Sequence, residues 1–191
     1  HLINHALFKA ALFMNAGIVD HETGTRDIRV LGGLAGLMPI TATLGVIAAA
    51  SMAGLPPFGG FLSKEMMLEE VWHTPFFGTH WLLPAVVVLG ASLSVGYSLR
   101  YIYGLYFGER PASFPKAPHD PGVGLWLPSA LLVAGTVLVG LFPQTLTKVL
   151  VAAASAATTG GTAPLFKPML WHGPTPALAM SVVAVALGVV A

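Results

Sequence analysis

The sequence predicts an all-α, multi-span membrane protein: a bundle of transmembrane helices with one discontinuous (broken) helix. Three observations lead there. Of 191 residues, 55% are hydrophobic and 9% charged, whereas soluble domains carry about 25% charged residues. Residues 30–63, 71–99, 121–147 and 168–191 contain no Asp, Glu, Lys or Arg, and each stretch exceeds the roughly 20 apolar residues that cross a bilayer. Within the first of them, Gly54-Leu55-Pro56-Pro57-Phe58-Gly59-Gly60 cannot be continuous helix, because proline removes backbone donors and glycine frees the chain.

Composition also excludes functions. A formal charge of +1 supplies no field for binding nucleic acid. The absence of cysteine removes disulfides, thiolate metal sites, iron–sulfur clusters and cysteine nucleophiles. No Walker, G-x-S-x-G or dinucleotide motif is present, so no cofactor or metal is expected, and no enzyme active site. The N-terminus lacks the basic region of a signal peptide. Both ends fall inside helical, apolar runs, so the chain is expected to be an internal piece of a longer membrane protein.

A first span covers about residues 1–19, apolar except for His1, His5 and Lys9. A polar connection, Asp20 to Asp27, follows. Asp27 can cap a short turn whose Ile28, Leu31, Leu34 and Leu37 share a face. Residues 38–74 form either two spans or one span broken at 54–60. Counting basic loop residues favours the single broken span. It gathers Arg26, Arg29, Arg100, Arg110 and Lys116 on one side, with Lys148 and Lys167 on the other. The 20–37 and 109–124 loops are then cytoplasmic. Broken helices survive at membrane depth only where they are buried or line a polar cavity, which points to transport.

A long span at 82–107 ends in Arg100-Tyr101-Ile102-Tyr103-Gly104-Leu105-Tyr106-Phe107, the composition of an interfacial aromatic belt with a basic anchor. A span at about 125–143 stops at Pro143. Residues 144–157 suit an amphipathic surface segment, 158–164 a loop, and 174–191 a last span. The expected division is a conducting unit at 1–108 and additional C-terminal spans at 109–191.

Two groups of residues could carry chemistry. His1, His5 and Lys9 recur every four residues, so consecutive members stand about 6 Å apart along one helix face. One water can bridge each gap, and the row could pass protons. Ionisable residues inside a span usually mark ion or proton routes, and burial and neighbouring charge act on a lysine in opposite senses, so such a group can be loaded and unloaded. Alternatively, Lys9 snorkels to the interface and the histidines satisfy backbone groups. The second group is Lys64 and Glu65, beside the break formed by Gly54, Pro56, Pro57, Gly59 and Gly60, where freed backbone groups and a charged pair make a hydrated pocket. Glu69 and Glu70 read as the wet end of the span and Arg100 as an anchor. Asp20, Glu22, Arg26 and Asp27 read as loop ion pairs, and His73, His80 and His119 as loop residues without metal spacing.

At these residues the sequence resembles a known family. His1-Leu2-Ile3-Asn4-His5-Ala6-Leu7-Phe8-Lys9-Ala10-Ala11-Leu12-Phe13-Met14 is similar to the H-x-x-x-H-A-x-F-K-A-x-L-F helix of antiporter-like subunits. These occur in respiratory complex I, membrane-bound hydrogenases and multisubunit cation/proton antiporters. Ala53 to Glu65 resembles the same family's broken-helix motif, G-x-P-x-x-G-F-x-S-K-D/E. Asp20 to Arg29 and Leu170-Trp171-His172-Gly173 look like the large A subunit of Mrp-type Na+/H+ antiporters, and the second choice is the corresponding subunit of complex I.

The resemblance implies a fragment of an inverted-repeat fold, in which Lys9 matches the lysine of the proton channel, His1 and His5 the histidines beside it, and Lys64 the lysine of the broken helix. It implies a non-enzymatic subunit of a hetero-oligomeric complex in a bacterial plasma membrane, exchanging protons for Na+. No oxygen-rich cluster specifies Na+, so that ion rests on the resemblance. The alternatives are a non-conducting scaffold and a redox-driven pump subunit.

Overall fold

The computed structural model describes residues 1–161 and 173–190, and among these the ordered secondary structure is helical. The helices are α1 (Leu2–Thr23), α2 (Pro39–Ala53), α3 (Gly59–His73), α4 (Leu82–Ile102), α5 (Val123–Leu141), the short α6 (Pro143–Leu146), α7 (Lys148–Thr159) and α8 (Pro176–Val190). Three stretches are long and apolar enough to cross a membrane: Leu2–Thr23, Leu82–Phe107 and Val123–Leu141. The apolar α2 and α8 have 15 residues each, about 22 Å at 1.5 Å per residue. The Leu170-Trp171-His172 motif and Lys167 lie outside the described residues.

α2 and α3 follow one another along α4, with the break halfway. Near one end Gly45 of α2 touches Tyr106. At mid-length the Ser94 hydroxyl of α4 donates to the Met52 carbonyl at 3.5 Å. Beyond the break Leu68 of α3 packs with Val87 and Val88 of α4. This order fits one broken helix and not a hairpin, which would fold α3 back beside α2. α1 packs antiparallel to α2 through small residues, Ala11 against Ala48 and Ala49, which permits the close approach favoured between helices in lipid. α5 covers α1, and α8 covers α3 and α4. The buried residues of α8, Ala177, Met180, Ser181, Ala184 and Gly188, are mostly small for the same reason.

One end of the bundle carries the 24–38 and 108–122 connections. α1 stops at Gly24, a left-handed C-cap (φ 75°) whose amide donates to the Asp20 carbonyl at 2.9 Å, a conformation glycine adopts without penalty. Asp27 caps a 3-10 turn at Ile28–Val30 by accepting from the Arg29 amide. The Arg29 side chain, hydrogen-bonded to Asp27, holds that carboxyl down to about 2. Leu31 and Leu34 then bury themselves with Ile18, Val19, Met38 and Tyr106.

Two residues here differ from their sequence reading. Glu22 is not a solvated loop residue. It is 3% exposed, and its carboxylate meets His21 at 2.8 Å, His119 at 2.7 Å and Lys116 at 3.5 Å, because α1 runs one turn further than its apolar pattern suggests. Nor does the aromatic run at 100–107 all face lipid. The helix widens into a π-helical turn at Tyr103–Phe107, which shifts the register. Tyr103 and Phe107 point outward while Tyr106 is 1% exposed.

α2 has Pro39 in its first turn but receives its cap from 80 residues away. The Asp120 carboxylate accepts from the amides of Ile40 and Thr41, both at 2.9 Å, and from the Thr41 hydroxyl at 2.7 Å. Losing an N-cap costs about 0.5–2 kcal/mol. Asp120→Ala is therefore expected to lower the thermal unfolding midpoint of the full-length, purified protein. An unchanged midpoint would show that water replaces the cap at no cost.

Candidate functional site

The break is the polar centre of the molecule. α2 ends at Gly54, which is left-handed (φ 74°), and the Pro56–Pro57 bond is cis. Ending a helix orphans its last carbonyls and starting another orphans its first amides. Here side chains from several helices satisfy them. The Lys64 ammonium donates to the Ala53 carbonyl at 3.2 Å and Ser94 to that of Met52. The Gly60 amide donates to the Ser51 hydroxyl at 3.2 Å, and the Asn4 amide of α1 adds a bond to the carbonyl of Gly59, in the first turn of α3, at 2.8 Å. Ser51 in turn bonds Thr136 of α5 at 2.8 Å. Asn4 Oδ1 is a buried acceptor that no protein donor reaches among the described residues.

Close packing fixes this geometry. A Cβ on Gly60 would lie 1.8 Å from the Ser51 carbonyl oxygen, and one on Gly140 of α5 1.9 Å from that of Pro57. Gly54 makes room for the aliphatic stem of Lys64, which a Cβ there would meet at 2.5 Å.

Lys64 is 7% exposed, and its head sits at the C-terminal, negative end of the α2 dipole. His1 reaches the same place from α1, its Nδ1 lying 3.0 Å from the Ser63 hydroxyl. His1, Lys64, Ser51 and Ser94 all line one cavity of about 380 Å³, roomy enough for several waters.

The other sequence candidates fall into place around it. The His1 and His5 rings are 5.9 Å apart, but His5 is exposed and leans on Phe8. Lys9 does not continue the row into the cavity. Its ammonium lies 5.7 Å from the ring centroid of Tyr97 on α4, within cation–π range. Glu65 turns to α8, where it accepts a hydrogen bond from the Ser181 hydroxyl. Glu70 is exposed, and Glu69 pairs with His73 at 3.3 Å. Among the described residues no three His, Cys, Asp or Glu side chains form a metal site.

Sequence reasoning missed the amides. Asn4 and Asn15 are buried. Asn15 donates to the Thr41 carbonyl at 2.9 Å and accepts from the hydroxyls of Tyr106 at 2.5 Å and Tyr101 at 3.4 Å. The available signal was a carboxamide within an apolar span, which seeks a partner wherever it is placed.

Residues 1–94 match the NADH:quinone oxidoreductase/Mrp antiporter transmembrane family. Over 191 residues the chain is 46% identical to the probable K(+)/H(+) antiporter A/B subunit of Rhizobium meliloti (strain 1021), covering 99% of this chain and 19% of that protein. It is 42% identical to the Na(+)/H(+) antiporter A1 subunit of Staphylococcus haemolyticus (strain JCSC1435), covering 99% of this chain and 24% of that one. It also superposes on a chain of the Mrp complex from Dietzia sp. DQ12-45-1b with a TM-score of 0.84 and 38% identity, over 98% of this chain and 20% of that one. The chain thus spans about a fifth to a quarter of the length of these relatives.

Proposed function

We propose that the chain, whose residues 1–94 match the NADH:quinone oxidoreductase/Mrp antiporter transmembrane family, is part of the large A subunit of a multisubunit cation/proton antiporter. In this reading residues 1–108 are half of a proton-conducting unit, and 109–191 are additional spans. The protein works in a bacterial plasma membrane beside other membrane subunits. It is a secondary transporter that moves protons in exchange for Na+.

The observation that carries the reading is the burial of Lys64 at the helix break, in a cavity it shares with His1. An ammonium held by one carbonyl keeps two donors for water, so it can pass a proton to the cavity and take one back. Lys9 supplies a second protonatable station on the face of α1 that also bears His5. Glu65, tied to Ser181, places a carboxylate next in sequence to Lys64.

The test uses the full-length protein with its partner subunits in energised everted vesicles, following ΔpH by dye fluorescence. Addition of Na+ is expected to collapse ΔpH. K+ is the second cation to add, since the named relatives differ in their ion. Lys9→Ala is expected to abolish the collapse while the complex still assembles, because alanine is well tolerated in a lipid-embedded helix. An undiminished rate in assembled Lys9→Ala complex would refute the relay role. If both cations were inert and NADH built a lysine-dependent ΔpH, the protein would belong to a redox-driven pump.

A further inference from the structure

A second cleft, of about 410 Å³, opens at the loop end of the bundle between α1, the 25–31 segment and α4, far from the break. Its mouth carries Asp20, paired with Arg26 at 2.8 Å, and its wall includes Gly17 and Tyr101. Tyr101 is one helical turn, about 6 Å, from Tyr97 along α4, and Tyr97 is the ring beneath the Lys9 ammonium. The Tyr101 hydroxyl meets Tyr106 at 3.2 Å and Asn15 at 3.4 Å.

We propose that Tyr101 is the hydroxyl through which Lys9 exchanges protons with this cleft, a branch of the proton route separate from the cavity at Lys64. The inference rests on the antiporter reading and deepens it. A tyrosine hydroxyl has one hydrogen and free lone pairs. When a water between Lys9 and Tyr101 delivers a proton to the oxygen, the hydroxyl turns its own hydrogen from Asn15 to a water in the cleft, passes it on and ends neutral. Lys9 is left as the amine, and the proton leaves past Asp20. Asn15 and Tyr106 are positioning residues. Tyr106 gives its hydrogen to Asn15 at 2.5 Å, so Tyr101 is held by two polar partners without being locked to either. The π-helical turn that buries Tyr106 is what brings this second hydroxyl to Tyr101.

A bulky side chain at Gly17, which lines the cleft, would narrow it. A Cβ on Gly17 would meet no atom within 4 Å, and Gly17 lies inside α1, where leucine is a good helix former. In the vesicle assay with the complete complex, Gly17→Leu and Tyr101→Phe are each expected to lower the maximal rate of Na+-driven ΔpH collapse at least about tenfold, as loss of a positioned proton carrier does. The half-saturating Na+ concentration should not change. Tyr103→Phe, whose ring faces outward, should match wild type.

A rate within about twofold of wild type for either cleft variant in assembled complex would overturn the proposal, on the same scale of effects. Should Tyr101→Phe fail to assemble, Gly17→Leu decides alone. If Na+ and K+ were both inert on wild type, the antiporter reading would fall. The lysine-dependent ΔpH built with NADH would then test Tyr101 by the same criterion.

Discussion

Lys64→Met is expected to yield a fully assembled complex whose cation-driven proton movement is lost, by at least about a hundredfold. Methionine matches the stem of lysine closely enough to fill the space above Gly54, so no large void opens. Lys64 makes no ion pair among the described residues, and an isolated buried charge is itself costly to desolvate, so its removal leaves no counter-ion stranded. The Ala53 carbonyl loses its ammonium partner, at a cost of about 1–3 kcal/mol if water does not replace it. Abundance and thermal midpoint should therefore change little while transport disappears. Lys64→Arg should be silent as well, because a guanidinium keeps its proton at any accessible pH. Proton flux at the wild-type rate in either variant, measured on complex shown to be intact, would remove Lys64 from the route.

Gly60→Ala should act in the opposite way, on the fold before the function. The added carbon would sit 1.8 Å from the Ser51 carbonyl oxygen and 2.7 Å from its carbonyl carbon, and both are backbone atoms of α2 that no rotamer change can move aside. The start of α3 must withdraw from α2, which pulls the Gly60 amide off Ser51 and loosens the Ser51–Thr136 bond. The cost should exceed the about 1–3 kcal/mol of ordinary overpacking. Loss of assembled protein, or a markedly lower unfolding midpoint, is the expected result. Gly90→Ala on α4, where a Cβ would meet nothing within 4 Å, is the matched control for stability and should leave the unfolding midpoint unchanged. Equal stability of the two variants would mean that the two half-helices are not in rigid contact.

The broken helix was legible because its signals are local. Pro56 and Pro57 cannot continue a helix, and the charge-free run 30–63 that contains them marks its membrane setting. What distant residues do to it was not legible. Nothing in the sequence around Pro39 announces that Asp120 caps it, and Glu65 gives no hint of Ser181, since both pairings depend on how helices cross. Glu22 was misplaced because acidic residues near a span end usually meet water, whereas here two histidines and a lysine enclose it. Tyr106 was read as a belt residue because it stands in an aromatic run at the end of a span. One π-helical turn reverses that, and no propensity scale marks it.

The Asp120 cap also has a meaning in time. During synthesis at about 5–20 residues per second, Asp120 leaves the ribosome about 4–16 seconds after the α2 amides it will bind. Through that interval the first turn of α2 has no side-chain cap for its donors, and the carboxylate is delivered only by the chain leading into α5. The start of α2 is thus closed by a residue made after α3 and α4, once the chain that must pack against it has been synthesised.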